Sequence, residues 1–236
     1  METQSEDVTI GDRRAVVSRP TGAGRWPGVV MLHEVFGITD VLRRQADRLA
    51  SAGYLVVAPD LLGEGSRFGC MKRAFQALTA RQGRPFEVIS QARDWTAEQR
   101  ECNGKVGVIG FCMGGGFALV AAADGFDAAA VNYGMIPDDV DEVLRGACPI
   151  VGSYGAKDRM SAAVPRLAAA LEGQGIDYDL KIYRTAGHSF LNDAAVGPVL
   201  ARPLMKIAHV GPDPDSATHA WGRIESFFGR HLKSDR

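Results

Sequence analysis

Short, uninterrupted apolar runs recur along this chain, each separated from the next by a stretch with helical spacing. Gly28-Val29-Val30-Met31-Leu32, Tyr54-Leu55-Val56-Val57-Ala58 and Val106-Gly107-Val108-Ile109 are such runs, as are residues 128–133 and 149–154. A strand with one wet face alternates apolar and polar residues. These runs do not alternate, so both of their faces are expected to be buried, as in a parallel sheet. Helices are expected over residues 40–52, 70–80, 85–99, 113–123 and 162–172, with Gly53 closing the first. A further strand is expected at 179–183 and an amphipathic helix at 216–231, while residues 8–10 and 15–18 read as a hairpin turning at Gly11-Asp12. This alternation predicts an α/β fold with a mostly parallel central sheet and helices on both faces. Reactive groups in such folds gather at the carboxyl ends of the strands.

The length, 236 residues, suits one domain over 1–236, and a core of that size needs no disulfide or metal staple. The net charge of −1, from 27 basic and 28 acidic residues, gives no electrostatic reason to expect nucleic acid or an anionic membrane as partner. No apolar run approaches the roughly 20 residues that span a bilayer, and residues 1–11 are too acidic and polar for a signal peptide. Cys70, Cys102, Cys112 and Cys148 show no pairing pattern, which fits free thiols and a cytoplasmic location. Residues 196–215 form a long loop rich in Pro and Gly, with a helical stretch at 201–207; lid and plain surface excursion both fit it.

The strongest chemical signal is Gly110-Phe111-Cys112-Met113-Gly114, directly after a strand and directly before a helix. This is the nucleophile elbow of the α/β-hydrolase fold, with cysteine where serine is commoner. The sharp turn demands residues without side chains two before and two after the nucleophile. The helix N-terminus that follows favours a thiolate and an oxyanion. A lone cysteine is more often a small core residue, but the spacing here matches neither a dinucleotide loop nor a phosphate loop.

In this fold the partners follow in the order nucleophile, acid, histidine. Asp158 stands just past the run ending at Tyr154, and His188 just past the strand ending near Tyr183, in Ala186-Gly187-His188-Ser189-Phe190. Asp177 and Asp179 precede their strand, and His209, His219 and His231 lie in the late loop or terminal helix. His33 ends a strand but lies before the nucleophile, which suits a structural or oxyanion-side role. The loop His33-Glu34-Val35-Phe36-Gly37 is placed to supply one oxyanion N–H, from Val35, beside that of Met113. No second histidine follows His33-Glu34 at a helical offset, so no metal is expected.

With these pieces placed, the chain resembles the dienelactone hydrolase family (carboxymethylenebutenolidase-like proteins). The likeness runs from the His33-Glu34-Val35-Phe36-Gly37 loop to the terminal helix at 221–232, and Gly110-Phe111-Cys112-Met113-Gly114-Gly115 with Gly187-His188-Ser189-Phe190 carries it. The resemblance implies a cofactor-free cytosolic enzyme that opens an enol-lactone through a cysteine acyl-enzyme. It also implies that Glu34 contacts the resting thiol and helps to remove its proton. The family's type enzyme has a carboxylate-binding arginine four residues after the catalytic histidine, where this chain has Asn192. A neutral amide cannot replace a guanidinium clamp. A second such arginine lies between the second strand and the elbow, a region that holds Arg73, Arg81 and Arg84.

The expectation is a hydrolase of small esters or lactones, monomeric or weakly dimeric, with Cys112 as nucleophile, His188 as base and Asp158 orienting it. The alternative is a catalytically idle member that binds small molecules or serves a stress response. A thiol at position 112 that titrates well below the free value of about 8.5 separates the two.

Overall fold

The computed structural model describes residues 1–198, 200 and 202–233. Eight strands form one sheet: β1 (Thr3–Ile10), β2 (Arg13–Pro20), β3 (Trp26–Leu32), β4 (Leu55–Pro59), β5 (Cys102–Phe111), β6 (Ala128–Asn132), β7 (Ile150–Gly155) and β8 (Tyr178–Tyr183). Their spatial order is β1-β2-β4-β3-β5-β6-β7-β8. The first two strands run antiparallel to their neighbours, and β4 through β8 form a parallel array with β3. The chain thus reverses its direction of travel across the sheet at β3, beside β5, where ligand crevices of open α/β sheets arise.

The unbroken apolar runs do bury both faces. Val30 and Leu32 of β3, with Leu55 and Val57 of β4, join one core cluster, while Val29, Met31, Val56 and Ala58 join the other. The first cluster is closed by α2 (Arg67–Ala80), α3 (Arg84–Ala97), α4 (Met113–Ala121), α5 (Val140–Val143) and α6 (Val164–Gly173). The second is closed by α1 (Asp40–Ser51) and by the last helix, α8 (Pro214–Leu232), through Leu42, Leu49, Trp221, Phe227 and Phe228. Full burial of a phenylalanine contributes about 1.5–3 kcal/mol, so the aromatic face of α8 anchors the C-terminal part of the chain. Each of these two helices is started by a side chain: Thr39 accepts the N–H of Leu42 for α1, and Asp213 that of Ser216 for α8.

The strand β1 and the helix α5 depart from expectation. The strand β1 extends back to Thr3 although its side chains are mostly exposed, because pairing with β2 through Thr3↔Pro20 holds it and no apolar pattern is needed. The single-turn helix α5 escapes notice because four residues cannot show a period. Within the late loop, α7 (Arg202–Ile207) covers the helical stretch expected at 201–207, of which residue 201 lies outside the described residues. No helix among the described residues is long and apolar enough to cross a membrane.

Candidate active site

Cys112 sits between β5 and α4 with φ 54° and ψ −116°, a left-handed conformation that costs a non-glycine residue on the order of 1–3 kcal/mol. The surroundings hold it there. Its N–H donates to the Asn132 carbonyl at 3.1 Å, and its own carbonyl accepts the N–H of Gly116 at 3.2 Å. The Asn132 amide in turn donates to the Gly110 carbonyl at 3.1 Å. The two flanking glycines are sterically required, since a Cβ on Gly110 would lie 1.9 Å from the Gly114 carbonyl oxygen and one on Gly114 2.2 Å from that of Leu32. The cysteine is partly exposed, whereas Cys70, Cys102 and Cys148 are buried; all four are free thiols.

His188 reaches this thiol from the loop after β8. Its Nδ1 lies 2.6 Å from Oδ2 of Asp158, and the Cys112 thiol stands near enough to act on the imidazole. Burial pulls the imidazole pKa down, but the Asp158 hydrogen bond and the neighbouring Cys112 and Asp158 charges outweigh it and lift the value to about 10. Asp158 stands after β7, where it also caps a 3-10 turn by accepting the N–H of Met160 at 3.0 Å. The histidine backbone is pinned on both sides: its N–H donates to the His209 carbonyl and its carbonyl accepts the N–H of Gly211, each at 2.9 Å.

Glu34 is buried on the loop after β3. Its oxygens accept hydrogen bonds from Ser189 Oγ at 2.7 Å and from Asn192 Nδ2 at 3.2 Å, and neither of these partners is the thiol. Burial pushes its pKa up, against the opposing pull of those two donors and of His188. Asn192, at the position where the family likeness leads one to look for arginine, is therefore a partner of Glu34 inside the protein. Val35 and Met113 donate their N–H groups to no other residue among those described. His33 is buried and fixes the same loop: its Nδ1 lies 2.6 Å from the Glu34 carbonyl, while its Nε2 accepts the N–H of Leu61 at 2.9 Å. That pattern is the neutral tautomer with the proton on Nδ1.

The three candidate arginines have other company. Arg81 pairs with Asp139, Arg84 with Asp12 and Glu87, and Arg73 donates to Cys70 Sγ at 3.1 Å. Two residues that local pattern did not single out also line the site. Tyr133, at φ 41°, packs edge-on against His188 with ring centroids 5.1 Å apart, and its hydroxyl satisfies hydrogen-bond geometry with no described residue. Burial first, and then the charges of Glu34 and Cys112, hold that hydroxyl in its neutral form. Gln45 of α1 donates to Asn192 Oδ1 at 3.1 Å. Positive φ at Tyr133 and Ser189 marks the strain that gathers at functional sites. Among the described residues no group of three or more His, Cys, Asp or Glu converges as a metal site.

The sequence pattern of the Dienelactone hydrolase family matches residues 14–232. A carboxymethylenebutenolidase of Pseudomonas putida is 29% identical over 198 residues, which cover 78% of this chain and 83% of the relative. Among solved structures, dienelactone hydrolase from Anabaena variabilis superposes with a TM-score of 0.68 at 21% identity, over 98% of each chain. A dienelactone hydrolase-like promiscuous phosphotriesterase from metagenomic libraries gives 0.76, also at 21% identity and 98% of each chain. The structural likenesses establish the α/β-hydrolase architecture.

Proposed function

Because the chain belongs to the dienelactone hydrolase family, a family of hydrolases, we propose that it cleaves small esters or lactones through an acyl-enzyme on Cys112. The reading rests on one observation: His188 is hydrogen-bonded to the Asp158 carboxylate and stands beside a thiol held at a positive-φ elbow. A thiolate beside an imidazolium at a helix N-terminus is a reactive nucleophile.

In this reading the thiol proton passes to His188, with the desolvated and therefore more basic Glu34 as an intermediate acceptor when substrate arrives. Sulfur then attacks the carbonyl carbon. The N–H groups of Val35 and Met113 receive the oxyanion, and loss of one such donor costs about 10²–10³ in rate. Collapse breaks the acyl C–O bond, and the imidazolium gives its proton to the departing alkoxide. Asp158 holds the imidazole tautomer throughout. A water molecule, losing a proton to His188, attacks the thioester; the thiolate leaves, the acid is released and the ion pair returns. The neutral Asn192 adds no charge for an anionic substrate, so neutral esters and lactones are the proposed class. Unpaired thiols suit a reducing compartment, and the cytoplasm is the proposed location.

The test is Cys112→Ala assayed with an aryl ester and an enol-lactone. Turnover should vanish; retained turnover overturns the mechanism. Iodoacetamide should alkylate Cys112 of the wild type and abolish turnover, whereas an unreactive thiol would favour the idle, binding-only member.

A further inference from the structure

A cavity of about 540 Å³ lies between α7 and the Thr185–Ser189 segment, and neither Cys112, His188 nor Glu34 lines it. Its volume falls within the roughly 300–1,000 Å³ of small-molecule sites. The body of the wall is apolar, from Val196, Met205, Val210 and Pro212. Two cations, Arg202 and Lys206, stand one turn apart on α7 at its edge. Neither has a carboxylate partner among the described residues. Among the described lining residues the acidic group is Asp213, which accepts the Ser216 N–H as the cap of α8. An apolar chamber whose described lining carries two cations against one carboxylate, a surplus of one positive charge, matches a molecule with an apolar body and one anionic head.

From this combination we infer that the cavity is a second small-molecule site, for an organic monocarboxylate with an apolar body. The site adjoins the reactive centre without entering it. Its walls include His209 and Gly211, the two residues whose peptide groups hold the backbone of His188, and Ser189, whose hydroxyl donates to Glu34.

The experiment is calorimetric titration of the full chain, with Cys112 blocked by iodoacetamide, using 4-phenylbutyrate and its uncharged counterpart 4-phenylbutanol. The acid should bind at least tenfold more tightly than the alcohol, and the double variant Arg202→Ala, Lys206→Ala should lose about tenfold in affinity for the acid. Both side chains are exposed, so the fold does not depend on them. In amide NMR spectra the signals of residues 209–211 should move on titration. Equal binding of acid and alcohol, unchanged affinity in the double variant, no binding at millimolar acid, or binding seen only with an unblocked thiol would each overturn the site. Hydrolysis plays no part in the measurement, and Cys112→Ala replaces the blocked chain if the thiol resists iodoacetamide, so loss of the esterase reading leaves its outcome intact.

Discussion

Gln45 fixes which way the amide of Asn192 faces: its Nε2 lies 3.1 Å from Asn192 Oδ1 and reaches the Leu191 carbonyl at 3.5 Å. With its oxygen held by α1, Asn192 turns its Nδ2 toward Glu34 Oε2. A side chain on the first helix thereby sets the hydrogen bonding of a buried carboxyl group on the loop after β3.

Replacing Gln45 by Leu removes the donor that fixes the amide. Asn192 can then turn its oxygen toward Glu34, so the carboxyl pKa should rise further and the acidic limb of the pH–rate profile should move to higher pH. Unfolding free energy should fall by about 1–2 kcal/mol. Superimposable profiles for variant and wild type would show that the amide orientation does not reach Glu34.

The pairing of His188 should make stability depend on pH in a particular window. Its folded pKa, about 10, lies above the roughly 6.5 of an unfolded histidine. A raised value means the stabilisation is complete below about pH 6.5 and is lost as pH climbs through 10. Asp158→Asn removes a main source of that shift. Urea unfolding should therefore show the wild type most favoured over the variant near pH 6, with the gap closing by pH 10. A constant gap would contradict the assignment.

Glu34 behaves in the opposite chemical sense, since burial favours its neutral form. Its ionisation costs stability as pH rises above the ordinary carboxylate range. Glu34→Gln should accordingly gain in Tm relative to wild type on going from pH 5 to pH 8, while hydrolysis slows. A relative Tm that falls over that interval would mean the carboxylate is stabilised where it sits.

Space at the elbow can be tested with two alanines. Gly110→Ala forces a Cβ to within 1.9 Å of the Gly114 oxygen and should cost about 3 kcal/mol or abolish folding. Gly229→Ala, inside α8 with nothing within 4 Å of the added carbon, should instead stabilise by up to about 1 kcal/mol. Similar effects of the two changes would show that the turn has room to relax.

Local chemistry along the chain determined a good deal by itself. Runs such as Val29 to Leu32, with no polar alternation, already required strands covered on both sides, and the glycines around Cys112 required a close-packed bend between strand and helix. The order of Cys112, Asp158 and His188, each just past a strand, followed from the same pattern, and in the fold Asp158 is hydrogen-bonded to His188. Only the tertiary structure decided where Glu34 points, because its partners Ser189 and Asn192 are 155 and 158 positions away and carry no local signature of that contact. The same holds for Gln45, which looks like any polar residue of a helix, and for Arg81 and Arg84, whose carboxylate partners come from Asp139 and Asp12. Periodicity records which side of an element is buried. Which distant side chain meets it there depends on how the loops close over the end of the sheet.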